Sequence, residues 1–219
     1  MPSKQIVIYG GGGCAREVAW LIQSCNIEGE KYRVACFADD DETSHGTELN
    51  GIPIMSLETA RRDFPFAAMV LGVGIPRTRE YLMTKAATAG FRFETIIHPR
   101  AERSQWVEIG LGTVICSGVT LTTNISIGHH VQINLNCTIC HDVVIGDFTT
   151  LSPGVHVSGC VHFGERVCVG AGAVIVNGTK QSPITIGDDV VIGAGACVTK
   201  SFASGMTVVG IPAKPIQQT

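Results

Sequence analysis

From Ile109 to Val176 the hydrophobic pattern repeats every sixth position without a break. The series is Ile109, Ile115, Leu121, Ile127, Ile133, Ile139, Ile145, Leu151, Val157, Phe163, Val169 and Ile175. Small or β-branched residues return four positions after each, from Thr113 and Val119 to Ala173 and Thr179. Helices space their apolar residues at 3.6 and strands at 2, so neither has a period of six. A chain that turns a corner every six residues does. Three such sides close a triangular coil of roughly 18 residues, and stacked coils make a parallel β-helix. The phase slips at residues 181–185 and resumes at Ile186, Ile192 and Val198, which predicts a loop pushed out of one corner.

Before this repeat the pattern changes. Residues 4–10 read as a short apolar strand, followed by a Gly-rich turn and a helix over 15–25. Residues 34–38 are a second strand, ending in Asp39, Asp40 and Asp41. A short extended piece at 52–55 precedes Ser56, a helix cap, and residues 67–73 read as a third buried strand. Residues 77–89 are helical and Gly90 ends the helix. Strands alternating with helices predict a small parallel sheet. The expected domains are 1–97 and 98–219, joined at Ile97-His98-Pro99. Arg103 then occupies a position where the repeat calls for an aliphatic residue.

Composition narrows the function. Charged residues make up 16% and the net charge is −3, so no broad electrostatic footprint for nucleic acid is expected. No run has the layout of a signal peptide, and none is long enough to span a bilayer. Nine Cys without such a signal suit reduced thiols in the cytoplasm. The abundance of Gly, at 26, fits corners that need positive φ.

Three motifs carry candidate chemistry. Gly10-Gly11-Gly12-Gly13-Cys14-Ala15 fits G-x-G-x-x-A between a strand and a helix, the setting of a phosphate cradle. The aspartates after the second strand stand where a ribose contact is expected. His141 falls on a corner of its hexad, and the residue 18 positions later is Gly159. That stacking predicts open space where a ligand can lie against the backbone. An imidazole is suited to removing a proton from an attacking amine or hydroxyl near neutral pH. His129, His130, His156 and His162 also face outward, and read as solvated surface residues. Cys137-x-x-Cys140 lies inside the hexads with no second pair, so it is read as packing rather than as a zinc or redox site.

With these motifs, and with the closing Gly210-Ile211-Pro212-Ala213-Lys214, the chain resembles the bacterial sugar O-acyltransferases of the sialic-acid O-acetyltransferase type. That family includes N-acetyltransferases acting on nucleotide-linked 4-amino sugars. The resemblance implies a left-handed β-helix, assembled as a homotrimer, behind an α/β Rossmann-like domain. It implies acetyl-CoA as co-substrate, no metal, and a UDP- or dTDP-linked amino sugar as acceptor, for surface glycan synthesis. His141 matches the catalytic base, with Asp142 beside it. CoA contacts fall on Thr150, Gly159 and Ala171. Nucleotide-sugar contacts fall on Gly12, Gly13, Cys14, Asp39, Asp40 and Gly74.

Two positions depart from the family pattern: Cys14 replaces a frequent His, and Asp142 replaces a frequent Glu. The shorter acid raises the question of whether it reaches the ring. The alternatives are O-acetylation of a sialic acid, whose carboxylate Arg16 or Arg77 would meet, and a nucleotide-sugar-binding scaffold without catalysis. A carbonic-anhydrase-like zinc enzyme needs three stacked His, and Thr123 and Gly159 stand where His141 would need partners.

Overall fold

The computed structural model describes residues 3–27, 29 and 31–216. The chain forms two compact units, one ending at His98 and the other beginning at Pro99.

The first unit is built on a six-stranded sheet. Its strands are β1 (Lys4–Tyr9), β2 (Tyr32–Ala38), β3 (Glu48–Leu49), β4 (Ile52–Met55), β5 (Ala68–Leu71) and β6 (Arg92–Phe93), in the order β3-β4-β2-β1-β5-β6. All pairs are parallel except β3 with β4. The helices are α1 (Gly13–Ser24), α2 (Leu57–Asp63) and α3 (Pro76–Thr88). β1 and β5 are buried apolar runs, as a sheet covered on both faces requires. Ser56 caps α2 by accepting from the Thr59 N–H at 3.1 Å. Helix α1 lies close against the sheet because Gly72 follows β5. A Cβ there would come 2.8 Å from Ala15 Cα and 2.7 Å from Ile8 Cγ2.

The second unit is the left-handed β-helix. Its pairings step by 18 residues: Ile115 with Ile133, Leu121 with Ile139, Ile127 with Ile145. The hexad aliphatics point inward and are nearly all fully buried. Each contributes about 1.5–3 kcal/mol over leaving it exposed. Val161 pairs with Ile184, 23 positions on instead of 18, so five extra residues are extruded before 184. They close through Thr179 and Ser182, whose backbones bond each other. Arg103 pairs through Leu121 in the first coil and stays exposed. At the other end Lys214–Pro215 turns back antiparallel on Val208 and Val209. Both end coils therefore break the pattern, as solenoid termini do.

At the corners, Gly proves less general than its abundance suggests. One residue per corner takes the left-handed conformation. Gly112, Gly118, Gly154, Gly172 and Gly195 do so, but so do Asn124, His130, Asn136, Asp142, Phe148, Cys160 and Arg166. Stacking every 18 residues sorts them into three edges: Asn124, Asp142 and Cys160 on one, Gly112, His130, Phe148 and Arg166 on another, and Gly118, Asn136, Gly154 and Gly172 on the third. Non-glycine residues carry the strain where the edge gives their side chains a partner.

Candidate active site

The first edge carries His141. Residues 140–142 form the corner between strands Thr138–Ile139 and Val143–Ile145. Neighbouring coils clamp its backbone: the Asp142 N–H donates to Thr123 O at 3.2 Å, and the Cys160 N–H to His141 O at 3.0 Å. Asp142 sits at φ 57, and its carboxylate meets the ring next door, with Oδ2 2.8 Å from His141 Nδ1. With the carboxylate as acceptor, Nδ1 holds the proton and Nε2 presents its lone pair. The shorter acid therefore reaches the ring. Asn124, one coil earlier, donates to Asp142 Oδ1 at 3.3 Å. The hydrogen bond from His141, followed by that from Asn124, holds the Asp142 carboxyl below its ordinary value, and Lys180 on the extruded loop adds a smaller pull.

The open space expected at Gly159 is not there. The space left by its missing Cβ is filled by the His141 ring. A Cβ would stand 2.5 Å from Nε2 and 2.9 Å from Nδ1. Gly159 is thus the seat of the His141 ring. Its own N–H donates to Asn177 Oδ1 at 3.0 Å. The N–H groups of Asp142, Gly159 and Cys160 are all engaged within the coil stack. Beside the dyad a groove of about 440 Å³ runs along one flat side, lined among others by Trp106, Asn124, Asp142, Val144 and His162.

The other two expected CoA contacts do not join Gly159 within one chain. Ala171 is exposed on the glycine edge beside Gly172, while Thr150 lies on a flat side and is only 5% exposed. Of the other histidines, His130 corrects its reading as a solvated residue. It is buried and stacked on Phe148, with ring centroids 5.3 Å apart and 8° between planes. His129 accepts from the Leu111 N–H at 3.0 Å, and His156 is bonded to Thr138 at 2.8 Å. Cys137 points inward and donates to Ser152 O at 3.2 Å; burial pushes its thiol up to about 11. Cys137 is thus part of the coil packing, as read from the hexads.

In the first unit, the carboxyl ends of three adjacent parallel strands carry the remaining candidates, the usual ligand position of such sheets. Gly10–Gly13 follow β1, Asp39 and Asp40 follow β2, and Gly72–Gly74 follow β5. Gly12 caps α1 with open space around it, and Gly74 is equally open. Cys14 lies half-buried in the first turn of α1. Arg16 brings its guanidinium within 3.8 Å of where a Gly13 Cβ would be, and Arg77 is exposed.

The two aspartates separate in role. Asp39 Oδ2 faces Gly11, where a Cβ would come within 2.8 Å of it. Both Asp40 oxygens are committed, accepting from Tyr9 Oη at 2.7 Å and Lys85 Nζ at 2.6 Å. Burial raises the Asp40 carboxyl, but those bonds outweigh it and hold it below its ordinary value. Burial and the bond to Asp40 push the Tyr9 hydroxyl up to about 12. Asp40 thus braces the strand end through Tyr9 and Lys85. Arg79, which the sequence pattern did not single out, is 1% exposed and donates to the Val73 and Gly74 carbonyls at 2.9 and 3.1 Å. It fixes the loop that presents Gly74.

Comparison with known proteins places this arrangement. The family model of the PglD N-terminal domain matches residues 5–86. GDP-perosamine N-acetyltransferase of Escherichia coli O157:H7 is 32% identical over 97% of this chain and 96% of its own length. Among solved structures, WeeI from Acinetobacter baumannii AYE superposes with a TM-score of 0.88 at 34% identity, covering 98% of this chain and 100% of that one. A histidine-to-asparagine variant of perosamine N-acetyltransferase from Caulobacter crescentus, in complex with CoA and GDP-perosamine, gives 0.86 at 30%, covering 98% and 97%.

Proposed function

Because the chain belongs to the nucleotide-amino-sugar N-acetyltransferase family of hexapeptide-repeat proteins, we propose that it transfers the acetyl group of acetyl-CoA to the amine of a nucleotide-linked amino sugar, with His141 as general base. The observation that carries the reading is the His141–Asp142 pair on a corner seated over Gly159. As the neutral amine attacks the thioester carbonyl, Nε2 takes its proton, and Asp142 stabilises the imidazolium. The tetrahedral intermediate collapses to the amide and expels CoA thiolate, which recovers the proton from the ring. No acyl-enzyme is formed.

The first unit binds the nucleotide-sugar through Gly12, Gly13 and Asp39, with Cys14 and Gly74 at the rim. The perosamine relatives carry GDP in their names, so guanosine joins uridine and thymidine among the nucleotides to try. Ala171 and Gly159 lie on different edges, and a closed trimer of prisms would bring one copy's glycine edge against the next copy's His141 edge. The CoA arm would run between them. Among the described residues no helix is long and apolar enough to cross a membrane, and all nine cysteines are free, which supports a cytoplasmic enzyme of surface glycan synthesis.

The test is thiol release from acetyl-CoA with GDP-, UDP- and dTDP-linked amino sugars, CMP-sialic acid and free sialic acid. Release with an amino sugar, and an acetylated amine in the product, supports the reading. Release with sialic acids alone moves the reaction to O-acetylation. Silence with acetyl-CoA unbound leaves the scaffold reading.

A further inference from the structure

We propose that the corner holding His141 and Asp142 is also a site for a soft divalent cation such as Zn²⁺, completed by Cys160, and that the cation inhibits the enzyme. One imidazole nitrogen, one carboxylate oxygen and one thiol sulfur lie there within 4.8 Å of one another. Among the described residues no other such cluster of His, Cys, Asp and Glu occurs. The coil repeat produces it. Cys160 is one coil after Asp142, and both take the left-handed conformation, at φ 57 and 55, so their side chains leave the same edge. Nitrogen, oxygen and sulfur donors are those zinc takes.

Zinc bonds of about 2.0–2.3 Å set tetrahedral ligands roughly 3.5 Å apart, so His141 Nδ1 and Asp142 Oδ2, 2.8 Å apart, must give up their shared proton and spread slightly while the widest pair draws in. His141 and Asp142 are exposed, Cys160 forms the buried floor, and solvent fills the fourth position. Binding displaces the thiol proton and needs a neutral ring, so affinity falls as pH falls. The cation is not a cofactor in this account. Bound through Nδ1, the nitrogen beside Asp142, it leaves the neutral ring's proton on Nε2 and so removes the lone pair the reaction uses. Binding stands independently of the proposed function, whereas inhibition rests on His141 being the base.

Titration with Co²⁺ tests the site spectroscopically, because a thiolate ligand gives a sulfur-to-cobalt charge-transfer band. Zn²⁺ binding is followed by calorimetry and acetyl transfer is measured in parallel. The expected result is a band at one Co²⁺ per chain, lost in Cys160→Ser and kept in Cys168→Ser, a control at a half-buried thiol away from the corner. Zn²⁺ should inhibit wild type reversibly on chelation, and Cys160→Ser should be about tenfold or more less sensitive. Should Cys160→Ser fail to fold, Cys160→Asn, suited to the left-handed backbone, repeats the test. No stoichiometric band, or a band unchanged by the Cys160 substitutions, overturns the site. A Cys160-dependent band with unaffected transfer keeps the site but overturns the inhibition, and with it the base assignment.

Discussion

Two corners of the β-helix carry a histidine packed on a glycine one coil away, and they have opposite fates. At Gly112 the missing Cβ makes room for the His130 ring; at Gly159 it makes room for the His141 ring. His130 is covered by Phe148 on its other face and lies 6% exposed. His141 has no aromatic lid, stands in solvent, and has an acid on Nδ1. One imidazole is a packing element; the other is placed to act as the base proposed for it. A glycine under a histidine thus does not separate the two; the carboxylate on Nδ1 and the open face do.

The comparison breaks first at His141→Ala, which should lower kcat by about 10²–10⁴ with melting temperature and acetyl-CoA affinity unchanged; kinetics beside calorimetry reads both. On the other edge Phe148→Ala should cost about 3–5 kcal/mol of stability, measured by denaturant unfolding, while the folded fraction keeps its turnover. Matching loss of turnover would erase the distinction.

The glycines sharpen it. Gly159 does not occupy the left-handed region, so Ala is tolerated there. The exposed His141 ring can swing aside, and its displacement should cost about 10²-fold in kcat with little change in melting. Gly112, at φ 74, faces a ring pinned by Phe148, so Gly112→Ala should lower melting instead.

Asn124→Ala removes one hydrogen bond from Asp142 and should lower kcat by up to about tenfold; an effect as large as that of His141→Ala would place the key contact one coil away. The smallest effect concerns the first unit. Asp40 is depressed in the fold, so its contribution is present above the ordinary carboxylate range and lost as pH falls through the folded value. The melting difference between wild type and Asp40→Asn should therefore shrink on acidification; a difference that grows would reverse the sign.

Much of this was legible before any coordinates. The period of six gives the coils because inward positions must be apolar in every turn, and the slip at 181–185 marks the five extruded residues. His141 and Gly159 follow from adding 18. The same spacing of 18 links Asn124 to Asp142 and Asn177 to Gly159. What addition cannot give is direction. It does not tell whether a ring fills the space over a glycine or leaves it open, so Gly159 was read as a groove floor and His130 as solvated. Nor does it tell which of two adjacent aspartates is already held, as Asp40 is by Tyr9 and Lys85. The burial of Arg79 carries no periodic signal, since one charged residue in an amphipathic helix reads as surface.

The most direct test of the His141 corner is a crystal structure of this protein with CoA bound. The account predicts the thiol sulfur against the His141 ring, on the Nε2 side, with the pantetheine arm passing a neighbouring copy's Ala171. A thiol seated on the glycine edge away from His141, or beside His130 and Phe148, would contradict it.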